Sequence, residues 1–171
     1  MISDGSKNKR LSQKRFSEAD VWRAIGSGWH PLWTGFRKNG FSVEWHDFKS
    51  ASPVDCAGSF HPDSVEICLN LDGQAEFSVA ETRQTLSSSA ALFYFSGRQP
   101  IIARRLPHQR HQFLTVEISR EFLKSRFGEN QSGLHPQIQT ALAGKNSASR
   151  NYYARENSMS LKPRWRSVTR V

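Results

Sequence analysis

The chain has 171 residues, a formal net charge of +9 at pH 7, two cysteines and 37% hydrophobic residues. This length suits one domain with its own core and is too short for two full domains, and so few cysteines exclude a disulfide-stabilised scaffold. No apolar run has membrane-spanning length, and the basic N-terminus lacks the apolar segment of a secretory signal, so we expect a cytoplasmic protein with no membrane partner.

The positive charge is concentrated at the two ends of the chain. Residues 1–15 carry five Lys or Arg and one Asp, and residues 150–171 carry six Lys or Arg and one Glu, which together account for the whole excess. A domain that reads nucleic acid instead concentrates basic residues on one face of a folded element. We therefore predict a flexible basic tail over residues 1–15. We also predict a disordered basic tail over residues 144–171, which lack apolar periodicity.

In chain order, the first predicted element is a short helix over residues 16–29, with Ser17 as its cap. A strand follows over residues 41–48 and a loop over residues 49–59. Strong period-2 alternation then flanks Asp72-Gly73, a dipeptide typical of two-residue hairpin turns, so we predict a hairpin between the strands 65–71 and 75–79.

The rest of the central region continues the same pattern. Short strands separated by Gly, Pro and Ser predict a mainly β sandwich or barrel, with further strands at residues 82–86, 90–95, 101–105 and 111–118. Ser119 then predicts the start of a helix that ends near Gly128. A second short helix is predicted over residues 134–143, with Pro136 in its first turn.

Three segments carry a resemblance to a known family: HPDSVEICLNLDG at residues 61–73, FYFSG at residues 93–97 and RRLPHQRHQFLTVEISREFL at residues 104–123. In order and pattern, the chain resembles the N-terminal sensor half of AraC-type transcription regulators over about residues 40–128. The resemblance implies a cupin-like antiparallel β-barrel of the jelly-roll type with C-terminal helices. On this basis residues 16–128 form the effector-binding domain with its first C-terminal helix, and residues 129–143 add a short dimerisation helix.

The resemblance implies a binding function rather than an enzyme, with no cofactor. The expected partners are a small-molecule effector and a second copy of the chain. In the family, DNA is bound by a C-terminal pair of helix-turn-helix motifs, and residues 144–171 contain no counterpart. We therefore interpret the chain as a regulator truncated before its DNA-binding domain, which would contact DNA only through that missing part. A frame-altered end and a non-functional remnant are the other interpretations of these residues.

A small metal-dependent cupin enzyme, an oxygenase or isomerase, is the alternative function. His61, Glu66 and Gly73 match the later part of a cupin metal motif, and His111 is the candidate from a later strand. Two histidines and one carboxylate suit a non-haem iron or manganese site. However, Ser59 stands where the motif has its first histidine, so we predict no metal. If a metal is bound, His61, Glu66 and His111 are the candidate ligands.

Two sets of residues complete the prediction. Strand side chains able to orient a small ligand inside a barrel are Trp45, Glu66, Tyr94, Arg104 and His111. No nucleophile motif or phosphate-binding loop is present in the sequence, and no catalytic residue is predicted. The two C-terminal helices carry more apolar side chains than a barrel wall needs, which predicts a homodimer through Phe122, Leu123, Phe127, Ile138 and Leu142.

Overall fold

The computed structural model describes residues 18–23, 25–79, 82–96, 101–128, 130–144 and 150–153. In these residues the helices are α1 (Glu18–Arg23), α2 (Phe36–Asn39), α3 (Arg120–Phe127) and α4 (Pro136–Leu142). The strands are β1 (Trp29–Trp33), β2 (Phe41–Ser50), β3 (Val54–Asp55), β4 (Ser64–Asp72), β5 (Ala75–Val79), β6 (Thr82–Leu86), β7 (Ala90–Ser96), β8 (Ile101–Arg105), β9 (Gln109–Ser119) and β10 (Arg150–Tyr153). None of the described helices is both long and apolar enough to cross a membrane.

The strands form two antiparallel sheets. The large sheet has six strands in the order β1-β2-β9-β4-β7-β10, and the small sheet has four in the order β3-β8-β5-β6. One hydrophobic cluster joins Leu92 and Phe113 of the large sheet to Ala75, Phe77 and Ala103 of the small sheet, so the two sheets pack face to face. The predicted mainly β, jelly-roll architecture is confirmed, in the form of two facing sheets.

The predicted hairpin at Asp72-Gly73 is wrong. β4 pairs with β7 and β9 in the large sheet, whereas β5 pairs with β6 and β8 in the small sheet. Asp72-Gly73 is therefore a corner at which the chain passes from one sheet to the other. Asn70 holds this corner by donating hydrogen bonds from its side-chain nitrogen to the carbonyl oxygens of Gly73 (2.7 Å) and Ser87 (2.8 Å).

The large sheet has a polar inner face and an apolar outer face. On β2, the even-numbered residues Ser42, Glu44, His46 and Phe48 face the small sheet and are buried. The even-numbered residues of β4 and the odd-numbered residues of β9 also bring mainly polar side chains inside, whereas the outer face carries rows of apolar residues across neighbouring strands. Two such outer rows are Val43, Val116, Ile67 and Phe93, and Trp45, Leu114, Leu69 and Ala91. A sheet that only covers a hydrophobic core has its apolar side chains inside and its polar side chains outside, and the large sheet has the opposite arrangement.

Helices α3 and α4 pack on the outer face of the large sheet. The Ser119 hydroxyl accepts a hydrogen bond from the backbone N–H of Phe122 (3.1 Å), which confirms the predicted cap. Leu123 and Leu142 are buried against Val65 and Phe95 of the sheet, and Ile138 packs against the same cluster. Three of the five residues predicted to form a dimer interface are thus used within the chain, because the outer row beneath the helices is apolar. Phe122 packs beside Phe41, with ring centroids 5.4 Å apart, and Phe127 is 40% exposed.

The two ends of the chain differ in part from the prediction. The predicted helix at residues 16–29 is confined to Glu18–Arg23 in the described residues, and its Trp22 is buried against the inner face of the large sheet. Residues 150–153, expected to be disordered, form β10 at the edge of the large sheet beside β7. The predicted tail at residues 1–15 lies outside the described residues, as do residues 145–149 and 154–171.

Candidate functional site

The centre of the candidate site is the buried carboxyl group of Glu117 on β9. Its Oε1 accepts hydrogen bonds from the backbone N–H of His61 (2.8 Å) and from the Ser64 hydroxyl (2.5 Å). Its Oε2 lies 2.5 Å from Nδ1 of His61. The His61 ring also stacks on Phe36 of α2, with centroids 3.8 Å apart. Glu117 is thus held in a fixed position by the segment that precedes β4.

A second buried carboxyl group, that of Glu66, lies directly opposite Glu117 on the neighbouring strand. Burial raises the pKa of Glu66 well above its usual range, and the nearby negative charges of Glu117 and Glu44 raise it further. Tyr94, opposite Glu66 on β7, is also buried. Burial and the neighbouring Glu66 raise the pKa of Tyr94, and the hydrogen bond between the Tyr94 hydroxyl and the Glu66 carboxyl group lowers that of Glu66 in part.

Glu44 and His46 extend the polar surface along β2. The two side chains are buried, and Nε2 of His46 lies 3.3 Å from a Glu44 carboxylate oxygen. The His46 ring is parallel to that of Phe113 and contacts Trp22, with centroid separations of 4.2 and 4.4 Å. Burial lowers the pKa of His46 despite the neighbouring carboxylate. The imidazole is therefore favoured in its neutral form.

Arg105 places a guanidinium group inside the sandwich from the small sheet. Only 2% of the residue is exposed. Its Nη1 donates to the Asn70 side-chain oxygen (2.6 Å), its Nη2 lies 3.4 Å from Sγ of Cys68, and the group stacks over the Phe113 ring at 3.5 Å from the centroid. The site therefore has a carboxyl-rich end at Glu66 and Glu117 and a guanidinium near its other end.

The five predicted ligand-binding residues divide between the inside and the outside. Glu66, Tyr94 and His111 face the interior and are buried. Trp45 lies on the outer face of the large sheet, and Arg104 is exposed on the outer side of the small sheet. Side chains alternate along a strand, so both residues have the wrong parity to line the interior. Trp45 and Arg104 are accordingly removed from the candidate site.

The alternative metal ligands do not lie together. His61 contacts Glu117, whereas His111 is six residues away on the same strand, which corresponds to about 20 Å along β9. Nε2 of His111 lies 2.7 Å from the carbonyl oxygen of Leu106, close to the corner at Gly73. Among the residues that the structure describes, no group of three or more His, Cys, Asp or Glu is arranged to hold a metal ion.

Four interior residues were missed in the sequence: Glu44, His46, Arg105 and Glu117. The first two share the parity of Phe48 on β2, and Glu117 shares that of His111 and Phe113 on β9. This shared side of the strand could have identified them. Polar residues that lie on the same side of a strand as a core aromatic residue indicate that the interior face is polar. Arg105 was missed because Arg104 and Arg105 are adjacent on one strand, and the sequence does not show which of the two side chains points inward.

Comparison with known proteins decides the family. The sequence profile described as the regulatory protein PchR N-terminal domain matches residues 28–163. The chain belongs to this family. The PchR N-terminal domain is regulatory by description, which confirms the resemblance to the sensor half of AraC-type regulators. A search of curated protein sequences found no significant match.

Solved structures similar to this PchR N-terminal domain include several cupins. The cupin domain of Cnp3 from Schizosaccharomyces pombe aligns with a TM-score of 0.44 and 10% identity, over 58% of this chain and 69% of that one. A cupin 2 conserved barrel protein from Salinispora arenicola gives 0.43 and 16%, over 58% and 80%. A cupin domain of an XRE-family transcriptional regulator from Enterobacter cloacae gives 0.39 and 14%, over 53% and 93%.

Proposed function

We propose that this regulatory domain binds a small-molecule effector on the inner face of the large sheet. The observation that carries the proposal is the buried row of Glu117, Glu66 and Tyr94 across three neighbouring strands. Burying a carboxyl group is unfavourable unless it is paired, and an apolar row would stabilise a two-sheet core better. Clustered buried groups with perturbed pKa values are typical of binding sites. An effector acts on such a domain only if it binds one of its conformations more tightly than another.

A thermal-unfolding screen of the full chain against small molecules of varied charge tests this function. A specific ligand at about 100 times its Kd stabilises a protein by about 2.7 kcal/mol, which raises the Tm of a domain of this size by roughly 5 to 10 °C. We expect Tyr94→Phe to remove most of that shift. Arg104→Ala, an outward substitution, is the control and is expected to keep it. A ligand whose effect is the same in both variants binds elsewhere and contradicts the proposal.

We further propose that a second copy of the chain packs on the outer face of the large sheet, beside α3. Leu69, in the apolar outer row that contains Trp45 and Leu114, is 40% exposed, and Leu71, two residues further along β4, is 51% exposed. Phe127, the exposed member of the predicted dimer residues, lies on α3. In a two-fold symmetric contact the same patch of both subunits meets, so an exposed apolar face of this kind would be covered by its copy.

The dimer is tested by sedimentation of the full chain at micromolar concentration. We expect a dimer for the unmodified chain and a monomer for Leu69→Lys, because a buried lysine at the contact would lose its hydration. Ile102→Lys is the matched control, since Ile102 is 60% exposed on the outer side of the small sheet. A monomeric unmodified chain, or a Leu69→Lys variant that remains dimeric, argues against this interface.

A further inference from the structure

We propose that α1 is a hinged lid on one side of the sandwich, and that an effector reaches the inner face of the large sheet by displacing Trp22 of this lid. The inference rests on the proposed function and adds the regulation of that same site. It starts from the position of α1, which contacts two short 3-10 turns, Gly26–Gly28 before β1 and Ala57–Ser59 before β4.

The helix covers the side of the sandwich on which β2 and β3 lie. At the other side β6 contacts β7, so the opposite edge of the small sheet, β3, lies near β1 and β2. The Gly26–Gly28 turn contacts β2 of the large sheet, whereas the Ala57–Ser59 turn follows β3 and contacts β8 of the small sheet. Because α1 contacts both turns, it bridges the two sheets and closes the gap between them.

Trp22 projects from α1 into the interior. It is only 4% exposed, and its ring centroid lies 4.4 Å from that of His46, 6.1 Å from that of Phe113 and 6.4 Å from that of Phe48. These three residues are on the inner face of β2 and β9. A ligand on this part of the inner face must therefore take the place of the indole ring.

The closed lid leaves polar atoms beside Trp22 without partners. Nδ1 of His46, a residue with no exposed surface, has no hydrogen-bond partner in the described part of the chain. Nε of Arg105, whose guanidinium stacks over the Phe113 ring, is in the same situation. Buried polar atoms are nearly always hydrogen-bonded in folded proteins, and Trp22 supplies neither atom with a partner. A ligand with polar groups can form the hydrogen bonds that the closed lid omits.

The lid is short and is followed by a hinge. A helix of six residues is not stable by itself, so the position of α1 depends on its contacts with the sandwich. Gly26 has a φ of +68°, and a Cβ atom added there meets nothing within 4 Å, so its backbone is free to rotate. Gly28 is packed against Phe48 and Asp47 and fixes the start of β1. Movement of α1 is therefore expected to pivot at Gly26.

A lid of this kind regulates the affinity for the effector. Only the open fraction of the protein can bind, so the apparent Kd is the intrinsic Kd divided by that fraction. A bound effector in turn keeps Trp22 out of the interior and favours the open state. Release of α1 is then the structural signal of a bound effector.

A disulfide that locks the lid tests the inference. Cγ2 of Val21 lies 3.3 Å from the position of a Cβ atom added to Gly58, so Val21→Cys combined with Gly58→Cys places two thiols within bonding reach. Oxidised glutathione forms the bond by accepting two electrons and two protons, and dithiothreitol breaks it. Val21→Cys alone, treated in the same way, is the control for effects of the oxidant.

Diethyl pyrocarbonate, which acylates accessible imidazoles, reports the opening of the lid at His46. We expect His46, followed by peptide mass spectrometry, to react about tenfold or more slowly in the locked form than in the reduced form. His30, exposed on β1, is the internal control and reacts equally in both. Hydrogen exchange of β4 measures global unfolding and is expected to slow less than the reaction of His46. Equal slowing of both, or no slowing at His46, overturns the inference.

Free indole tests the place of Trp22 directly. Trp22→Ala removes the ring from the interior, and we expect millimolar indole to raise the Tm of this variant. Trp33→Ala, which removes a ring that is 55% exposed, is the control and is expected to show no such rise. A Trp22→Ala variant that indole does not stabilise contradicts the inference. The disulfide test does not require this variant to fold.

A compound found in the unfolding screen separates this inference from the proposed function. We expect it to bind the reduced double variant and to bind the locked form about tenfold or more weakly. If it binds both forms equally, the inference is overturned and the proposed function stands. If no compound binds either form, both fail.

Discussion

Replacing Glu117 with alanine is expected to destabilise the domain by about 4 kcal/mol, because a buried polar group that loses its hydrogen-bond partner costs about 1 to 3 kcal/mol and more than one group is affected here. The substitution deprives the His61 backbone N–H and the His61 ring of their shared acceptor, and it leaves the Ser64 hydroxyl with the carbonyl oxygen of His61, 2.8 Å away. These groups are buried, so water does not replace the lost hydrogen bonds. Urea unfolding followed by circular dichroism measures the change.

Two companion variants give this prediction its control. Glu117→Gln keeps the shape of the side chain and one oxygen acceptor, so we expect it to lose less stability than Glu117→Ala. Glu121→Ala removes an exposed carboxyl group four residues further along the chain and is expected to change stability by about 0.5 kcal/mol or less. If Glu117→Ala were no more destabilising than Glu121→Ala, the network around Glu117 would have no role in stability.

Gly73→Ala is expected to destabilise the domain by about 3 kcal/mol, because two unfavourable effects act at one position. Gly73 has a φ of +81°, a conformation that residues with a Cβ atom rarely adopt. In addition, a Cβ atom here would collide with the backbone carbonyl oxygen of Arg110 and with the His111 ring. The first obstacle is backbone, so relief requires β9 to move away from the corner.

Gly133→Ala separates these two effects. Gly133 has a φ of +90°, and a Cβ atom added there meets nothing within 4 Å. It therefore reports the conformational penalty alone, about 1 kcal/mol. Thermal and urea unfolding of both variants are expected to show the larger loss for Gly73→Ala. Equal losses would mean that the close approach of β9 to the corner has no energetic weight.

The strands themselves were predictable because their signal is local. Alternation located β2, β4, β5 and β9 to within two residues, and Ser119 and Gly128 bounded α3 as expected. Alternation does not reveal which strands pair, however. The Asp72-Gly73 turn has the local chemistry of a hairpin, but β4 and β5 find their partners elsewhere in the sequence. Packing over the whole chain decides which distant segments pair, so a short stretch of sequence does not reveal the partners of a strand.

The candidate site was only partly predictable for a similar reason. Glu66, Tyr94 and His111 were identified from their strands, but Trp45 and Arg104 were included because the inward parity was unknown. The usual rule that apolar side chains point inward gives the wrong side for much of the large sheet, whose interior is polar. The bonds of Glu117 to His61 and Ser64 span more than 50 residues of sequence, and nothing local indicates them.

The position of Glu117 near the end of β9 links the interior to the surface over a very short path. Ser119, two residues later, caps α3, and the N–H of Arg120 donates to the carbonyl oxygen of Asp63, which lies between His61 and Ser64. The segment that holds Glu117 inside thus also holds the first turn of α3 outside. A ligand that displaced the carboxylate is therefore expected to disturb the first turn of that helix directly, because the two share the segment between His61 and Ser64.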